Sequence, residues 1–325
     1  MLLDSLYKSP SQSEKDKKAK IIFILKIIIA IALLVVLINF FSVGEILSVL
    51  QKADWRYLVL VFLLSGVNLS LQWFKWHKFL DFGLEGITKK DSAASFLTGL
   101  TAGITTPARL GEHIGRAVAL KKYKFANVVI LSTVDKFYNV LVITFLGFAG
   151  TILFYKLFYS EKFYINVTTI ILLTVILVVF VFVIFGKGFF PEYIKRKLKK
   201  YSFVENNLDI LKRIFRGGLK KKFILLGINI SYYLIILLQF SILCIMFGAE
   251  ASVFSIMLIF SIVLLATTLI LPISFSDLGV RESAASYLIT LIGIESVIGF
   301  NASILLFVMN ILIPSLVGFI FLFKK

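Results

Sequence analysis

Long apolar runs interrupted at two matching places constrain this chain more than any other feature. The run Ile21–Phe41 is broken only by Lys26 and Asn39, and roughly 20 apolar residues suffice to cross the hydrocarbon of a bilayer. Among such runs stand two polar stretches. The first reads Thr105-Thr106-Pro107-Ala108-Arg109-Leu110-Gly111-Glu112. The second reads Pro272-Ile273-Ser274-Phe275-Ser276-Asp277-Leu278-Gly279-Val280-Arg281-Glu282. Each holds a helix-stopping proline, a Leu-Gly pair, an arginine and a glutamate. Charge and broken helix persist inside a membrane only where protein buries them or a cavity hydrates them. A pair of interrupted segments in the two halves of a chain points to a transporter-like site.

Composition narrows the class. Hydrophobic residues make up 59% of the chain, against about 45–50% in soluble domains, so two soluble domains are excluded. Cys244 is the sole cysteine and His77 and His113 the only histidines, which leaves no set of ligands for a dedicated zinc or redox metal site. The formal charge is +17. It gathers in the connections, where positive charge sets membrane orientation and meets anionic head groups, and no nucleic-acid motif accompanies it. Walker-type, GxSxG, HExxH and dinucleotide motifs are missing, so no cofactor is expected and ATP-driven transport by this chain alone is not.

The expected architecture is an all-α polytopic membrane protein. A polar cytoplasmic tail covers 1–20 and a single membrane domain 21–323. Its first half spans about 21–186 and its second about 223–323, around a basic loop at 187–222. Full spans are expected near 21–41, 57–80, 126–156, 165–186, 222–248 and 297–322, with broken segments at 92–122 and 253–294. The first apolar run is too long for a signal peptide and reads as an uncleaved anchor. Twelve basic residues oppose three acidic ones between Lys187 and Lys222, which places that loop in the cytoplasm. With six spans and two re-entrant helical hairpins entering from opposite faces, every basic cluster falls on one side. The result is an inverted repeat in a plasma membrane protein with both termini cytoplasmic. The two Leu-Gly pairs lie 168 residues apart, close to half the chain.

Candidate site residues follow from cost. An arginine at a helix centre costs about 2.5–3.5 kcal/mol on insertion scales, so an apolar pair would be cheaper unless the charge has work to do. The candidates are Arg109, Glu112, Arg116, Asp135, Lys136, Asp277, Arg281 and Glu282. Thr106-Pro107 reads as a cap and first-turn proline opening a helix with Glu112 and Arg116, and Ser276-Asp277 precedes one with Arg281 and Glu282. Two helix starts offer unpaired N–H groups to an anion, and arginine's planar fork fits phosphate. Alternatively, Glu112 only neutralises Arg116, and Asp277 or Glu282 only Arg281. Asp135 and Lys136 either form a local ion pair that locks packing or supply counter-charges to a cavity, with Asn139 one turn beyond. His113 is either a proton relay or a hydrogen-bonded structural residue. Gly99 and Gly103 have GxxxG spacing, suited to close helix packing. Asn229, Gln239, Asn310 and Pro314 read as packing contacts or kinks, and Trp73, Lys75, Trp76, His77 and Lys78 as an interfacial belt.

At Pro107-Ala108-Arg109-Leu110-Gly111-Glu112, with Arg116 following, and at Leu278-Gly279-Val280-Arg281-Glu282, the chain resembles the flippase-like membrane domain of lysylphosphatidylglycerol synthases and its stand-alone relatives. The likeness covers roughly residues 20–323. It departs in Pro107-Ala108 for the usual Pro-Gly, in Ser276-Asp277 for Gly-Gly, and in Asp135-Lys136 with Asn139, where the family carries an acidic-Arg element and commonly an Asp. The resemblance implies translocation of a lipid head group without the cytosolic synthase domain. The expected partner is an anionic membrane lipid or a polyprenyl-phosphate-linked substrate. A membrane glycosyltransferase or accessory of a lipid-linked sugar pathway, and a transporter of a small soluble anion, stand as alternatives.

Overall fold

A computed structural model describes residues 54–104, 106, 109–159, 175, 210, 213, 218–269 and 279–323, with side chains to 319. These fall in one compact unit, Ala53–Lys325. The expected spans at 21–41 and 165–186, most of the basic loop, and Pro107, Pro272 and Asp277 lie outside the described residues.

Every regular element among the described residues is helical. Helix α1 (Trp55–Gly83) is capped by Asp54, whose side chain accepts the Arg56 N–H at 2.9 Å. It is followed by α2 (Lys89–Ile104), α3 (Gly111–Ala119) and α4 (Phe125–Phe158). The second half holds α5 (Leu219–Met246), α6 (Val253–Leu269), α7 (Val280–Ile289), α8 (Ser296–Phe307) and α9 (Ile313–Phe323), the last two joined by a π-turn at Val308–Leu312. Among the described residues, four helical stretches are long and apolar enough to cross a membrane: α1, α4, α5 and Ser296–Phe319. On the first two the apolar face is outward: Phe62, Leu63 and Val67 on α1, and Leu153 and Leu157 on α4, stay exposed, an arrangement that lipid tolerates and water does not. The chain is a multi-pass membrane protein.

Helix α3 displays the same inversion within nine residues. Leu110, Ile114 and Val118 face outward while Glu112 and Arg116 are buried. The charged face is held against α2 by small residues. A Cβ on Gly115 would stand 2.7 Å from both the Ala102 Cβ and the Thr98 carbonyl, so only glycine permits this approach. Gly99 and Gly103 do lie in that seam, against Arg116 and Glu112.

Two apolar clusters frame the centre. Trp76, Phe79, Leu100, Leu131 and Tyr138 build one from α1, α2 and α4. Phe240, Ile259, Phe260 and Leu306 anchor the other on α5, α6 and α8, with Phe240 and Phe260 stacked at 3.9 Å.

Candidate substrate cavity

The first polar interruption folds differently from its sequence pattern. The helix begins at Gly111, four residues past Pro107, because Arg109 adopts a left-handed backbone with φ of 54°. Thr106 does cap it, its Oγ1 accepting the Gly111 N–H at 2.7 Å. The Glu112 and His113 N–H groups donate to the Arg109 and Leu110 carbonyls at 3.0 and 3.3 Å. All three leading N–H groups are thus taken, and the expectation that this helix start offers them to an anion fails. At α7 the Glu282 carboxylate takes the Gly279 N–H at 2.8 Å, so a glutamate occupies the place expected for an anion there.

Side chains rather than helix ends carry the charge. The Glu112 carboxylate meets Arg116 at 2.6 Å, Lys136 at 2.7 Å and Arg109 at 3.2 Å. Arg116 reaches on to Asp135 at 2.7 Å, and Asp135 also pairs with Lys75 at 2.8 Å. Asp135 and Lys136, adjacent in sequence, therefore serve different partners rather than each other. Lys75 further donates to Asn139 and Asn229 at 2.6 and 3.2 Å. The Arg116 guanidinium lies 4.3 Å from the Trp76 ring centre, an attractive cation–π geometry. His113 Nδ1 and Ser132 Oγ hydrogen-bond at 2.9 Å.

Lys75 corrects the interfacial-belt expectation. It is 3% exposed, deep in the first cluster. The sequence did hold a signal for it. Ser65, Asn68, Gln72 and Lys75 follow at intervals of three and four along an otherwise apolar helix, so all four share one face.

In the second half, Arg281 pairs with Glu282 at 3.1 Å and donates to Ser303 at 3.2 Å. Ser303 donates in turn to Glu282 at 3.3 Å.

The two halves converge on one cavity of about 350 Å³. Arg109, Lys136 and Arg281 line it, with His113 and Tyr232. Glu112, Asp135 and Glu282 stand behind those cations, each no more than 2% exposed. Four cations, Lys75, Arg109, Arg116 and Lys136, share the two carboxylates of Glu112 and Asp135. The surplus is positive, and the two of these cations that line the cavity, Arg109 and Lys136, have side chains 17% and 32% exposed. In a low-dielectric surrounding such a surplus attracts an anion far more strongly than it would in water. Arg116 is not among the residues lining the cavity, and its pairs with Glu112 and Asp135 hold the cluster together. Among the described residues no group of His, Cys, Asp and Glu is disposed to hold a metal.

A multi-pass helical membrane protein, with paired buried charge opening on a cation-walled cavity, is the class these features define. The chain belongs to the lysylphosphatidylglycerol synthase transmembrane-region family, whose model, described as "Lysylphosphatidylglycerol synthase TM region", matches residues 23–318. No curated protein and no solved structure matches it.

Proposed function

We propose that this protein is a flippase-like transporter that carries the phosphate-bearing head group of an anionic lipid across the bilayer. One observation carries the proposal: Arg109 and Arg281, from opposite halves of the chain, face the same cavity with Lys136. Two arginine forks and an ammonium suit the oxygens of one phosphate, while acyl chains stay in the hydrocarbon.

The interrupted segments supply the geometry. At 16 residues, α2 falls short of the roughly 20 needed to span, and it packs back on α3. At 17 residues, α6 is similarly short and packs on α7. Both pairs are read as re-entrant hairpins, one per half, entering from opposite faces. Rocking of one half against the other would then open the cavity alternately to each side. Glu112 and Glu282 hold the arginines when the site is empty and yield them to phosphate.

Sugar transfer requires a carboxylate free to act as base or metal ligand. Glu112 and Asp135 are each held by two or more cations, which counts against either in that chemistry; Asp277, the third carboxylate that could serve it, lies outside the described residues.

The test is head-group movement in proteoliposomes, comparing the unmodified protein with the Arg109→Ala, Arg281→Ala double variant. Anionic lipid should move with the first and not with the second. Movement surviving both substitutions would remove the assigned site, and movement of zwitterionic lipid at equal rate would remove the charge selectivity.

A further inference from the structure

Ser132 on α4 is fully buried, and among the described residues its hydroxyl meets two groups. Arg116 Nη1 donates to its Oγ at 3.4 Å, and His113 Nδ1 lies 2.9 Å away. A guanidinium has no acceptor, so the Ser132 hydrogen can go only to the histidine. His113 Nδ1 is therefore the acceptor. The opposite order, with Nδ1–H donating to Ser132, would leave the hydroxyl hydrogen buried and unpaired, at about 1–3 kcal/mol. A neutral ring that accepts at Nδ1 carries its proton on Nε2.

That proton is the unspent donor of the cluster. Among the described residues only Ser132 hydrogen-bonds the His113 ring. The ring is half-buried on α3 and lines the cavity beside Arg109, Lys136 and Arg281. Those three cations already have carboxylates. Glu112 holds Lys136 at 2.7 Å and Arg109 at 3.2 Å, and Glu282 holds Arg281 at 3.1 Å. An anion must compete for each of them, whereas Nε2–H has no carboxylate to leave.

We infer that His113 is a ligand-binding residue of this cavity, fixed by the order Arg116 to Ser132 to His113 as a neutral donor whose Nε2–H meets a phosphate oxygen. The inference rests on the anionic head group proposed above. Arg116, outside the cavity wall, thereby acts on the ligand through two hydrogen bonds. Ser132 is the positioning residue between them, and the bond it aims is charge-assisted at the acceptor.

His77 and His113 are the only histidines, so histidine-selective nitrogen NMR reads the ring directly, with His77→Gln assigning the second set of signals. The full chain is held in a maltoside detergent, which carries no phosphate, and phosphatidylglycerol is titrated in. The expected spectrum shows His113 protonated at Nε2 before and after, with the Nε2 signal moving as lipid binds. A proton on Nδ1 overturns the hydrogen-bond order. An Nε2 signal unmoved by lipid that does bind overturns the contact and leaves the arginine site standing. If the lipid does not bind, the head-group site has failed and the His113 contact with it. A like shift from inorganic phosphate alone would keep the contact and overturn the lipid as its source. In affinity, His113→Phe should weaken phosphatidylglycerol binding about tenfold, and His113→Gln, which restores an N–H donor, should recover part of that loss. Equal losses in the two variants overturn the donor role. If His113→Phe does not fold, the spectra of the unmodified protein decide.

Discussion

Lys75 Nζ and Asp135 Oδ1 meet at 2.8 Å inside the first apolar cluster, joining α1 to α4. Neither is more than 3% exposed. Removing one member of a buried pair leaves the other uncompensated, at about 3–5 kcal/mol. Lys75→Met should therefore lower the thermal stability of the purified protein severely. Adding Asp135→Asn should restore part of it, so that the two losses fall short of additive by more than about 1 kcal/mol. Additive losses would mean the two groups do not act as a pair.

The buried charge around the cavity was legible in sequence wherever it fell in the middle of an apolar run. Of the candidates Arg109, Lys136 and Arg281 line the cavity, Glu112, Glu282, Arg116 and Asp135 are joined to them by ion pairs, and Asp277 lies outside the described residues. Lys75 escaped because lysine near a helix end ordinarily snorkels to the interface, and only its spacing from Asn68 and Gln72 betrayed a buried face. The long helices were equally plain, since an apolar span is a property of local composition. The start of α3 was not. Its position depends on the left-handed backbone at Arg109, which no residue preference at an arginine announces.

That backbone at Arg109 separates two contributions of one residue. A side chain with a Cβ held at φ of 54° carries a steric cost of roughly 1–2 kcal/mol, which glycine avoids. Arg109→Gly and Arg109→Ala should both abolish transport of anionic lipid, since both remove the guanidinium. Arg109→Gly should nonetheless be the more stable, by about 1 kcal/mol in denaturant unfolding. Equal stability would show that the left-handed conformation does not persist once the side chain is gone.

Glycines in this chain differ sharply in what surrounds them, and alanine substitution should expose the difference. At Gly115 a new Cβ would press on Ala102 and Thr98 at 2.7 Å. Overpacking of this kind costs about 1–3 kcal/mol, and displacement of α3 would also move Glu112 and Arg116. At Gly66, within α1, nothing lies within 4 Å of the added Cβ. There Gly66→Ala should stabilise by up to about 1 kcal/mol through helix propensity. Unfolding midpoints of the two variants should therefore shift in opposite directions. A common direction would place the α2–α3 seam elsewhere.

Glu282 has two tasks that a single substitution can divide. Its Oε2 accepts the Gly279 N–H at 2.8 Å, and its Oε1 faces the Arg281 guanidinium at 3.1 Å. In Glu282→Gln one amide oxygen remains to cap Gly279, so the start of α7 is kept, but Arg281 loses its counter-charge. If the carboxylate competes with the ligand's phosphate, Arg281 then has only the ligand to pair with. Anionic lipid should bind roughly five- to tenfold more tightly, as expected of a charge-assisted hydrogen bond no longer shared. Transport should slow, because a head group held more firmly leaves more slowly. Arg281→Ala should weaken binding instead. The measurement is lipid affinity in nanodiscs set beside the rate in proteoliposomes. Weaker binding by Glu282→Gln would show that the carboxylate aims Arg281 at the cavity rather than competing for it, and the proposed release of Arg281 to the ligand would have to be abandoned.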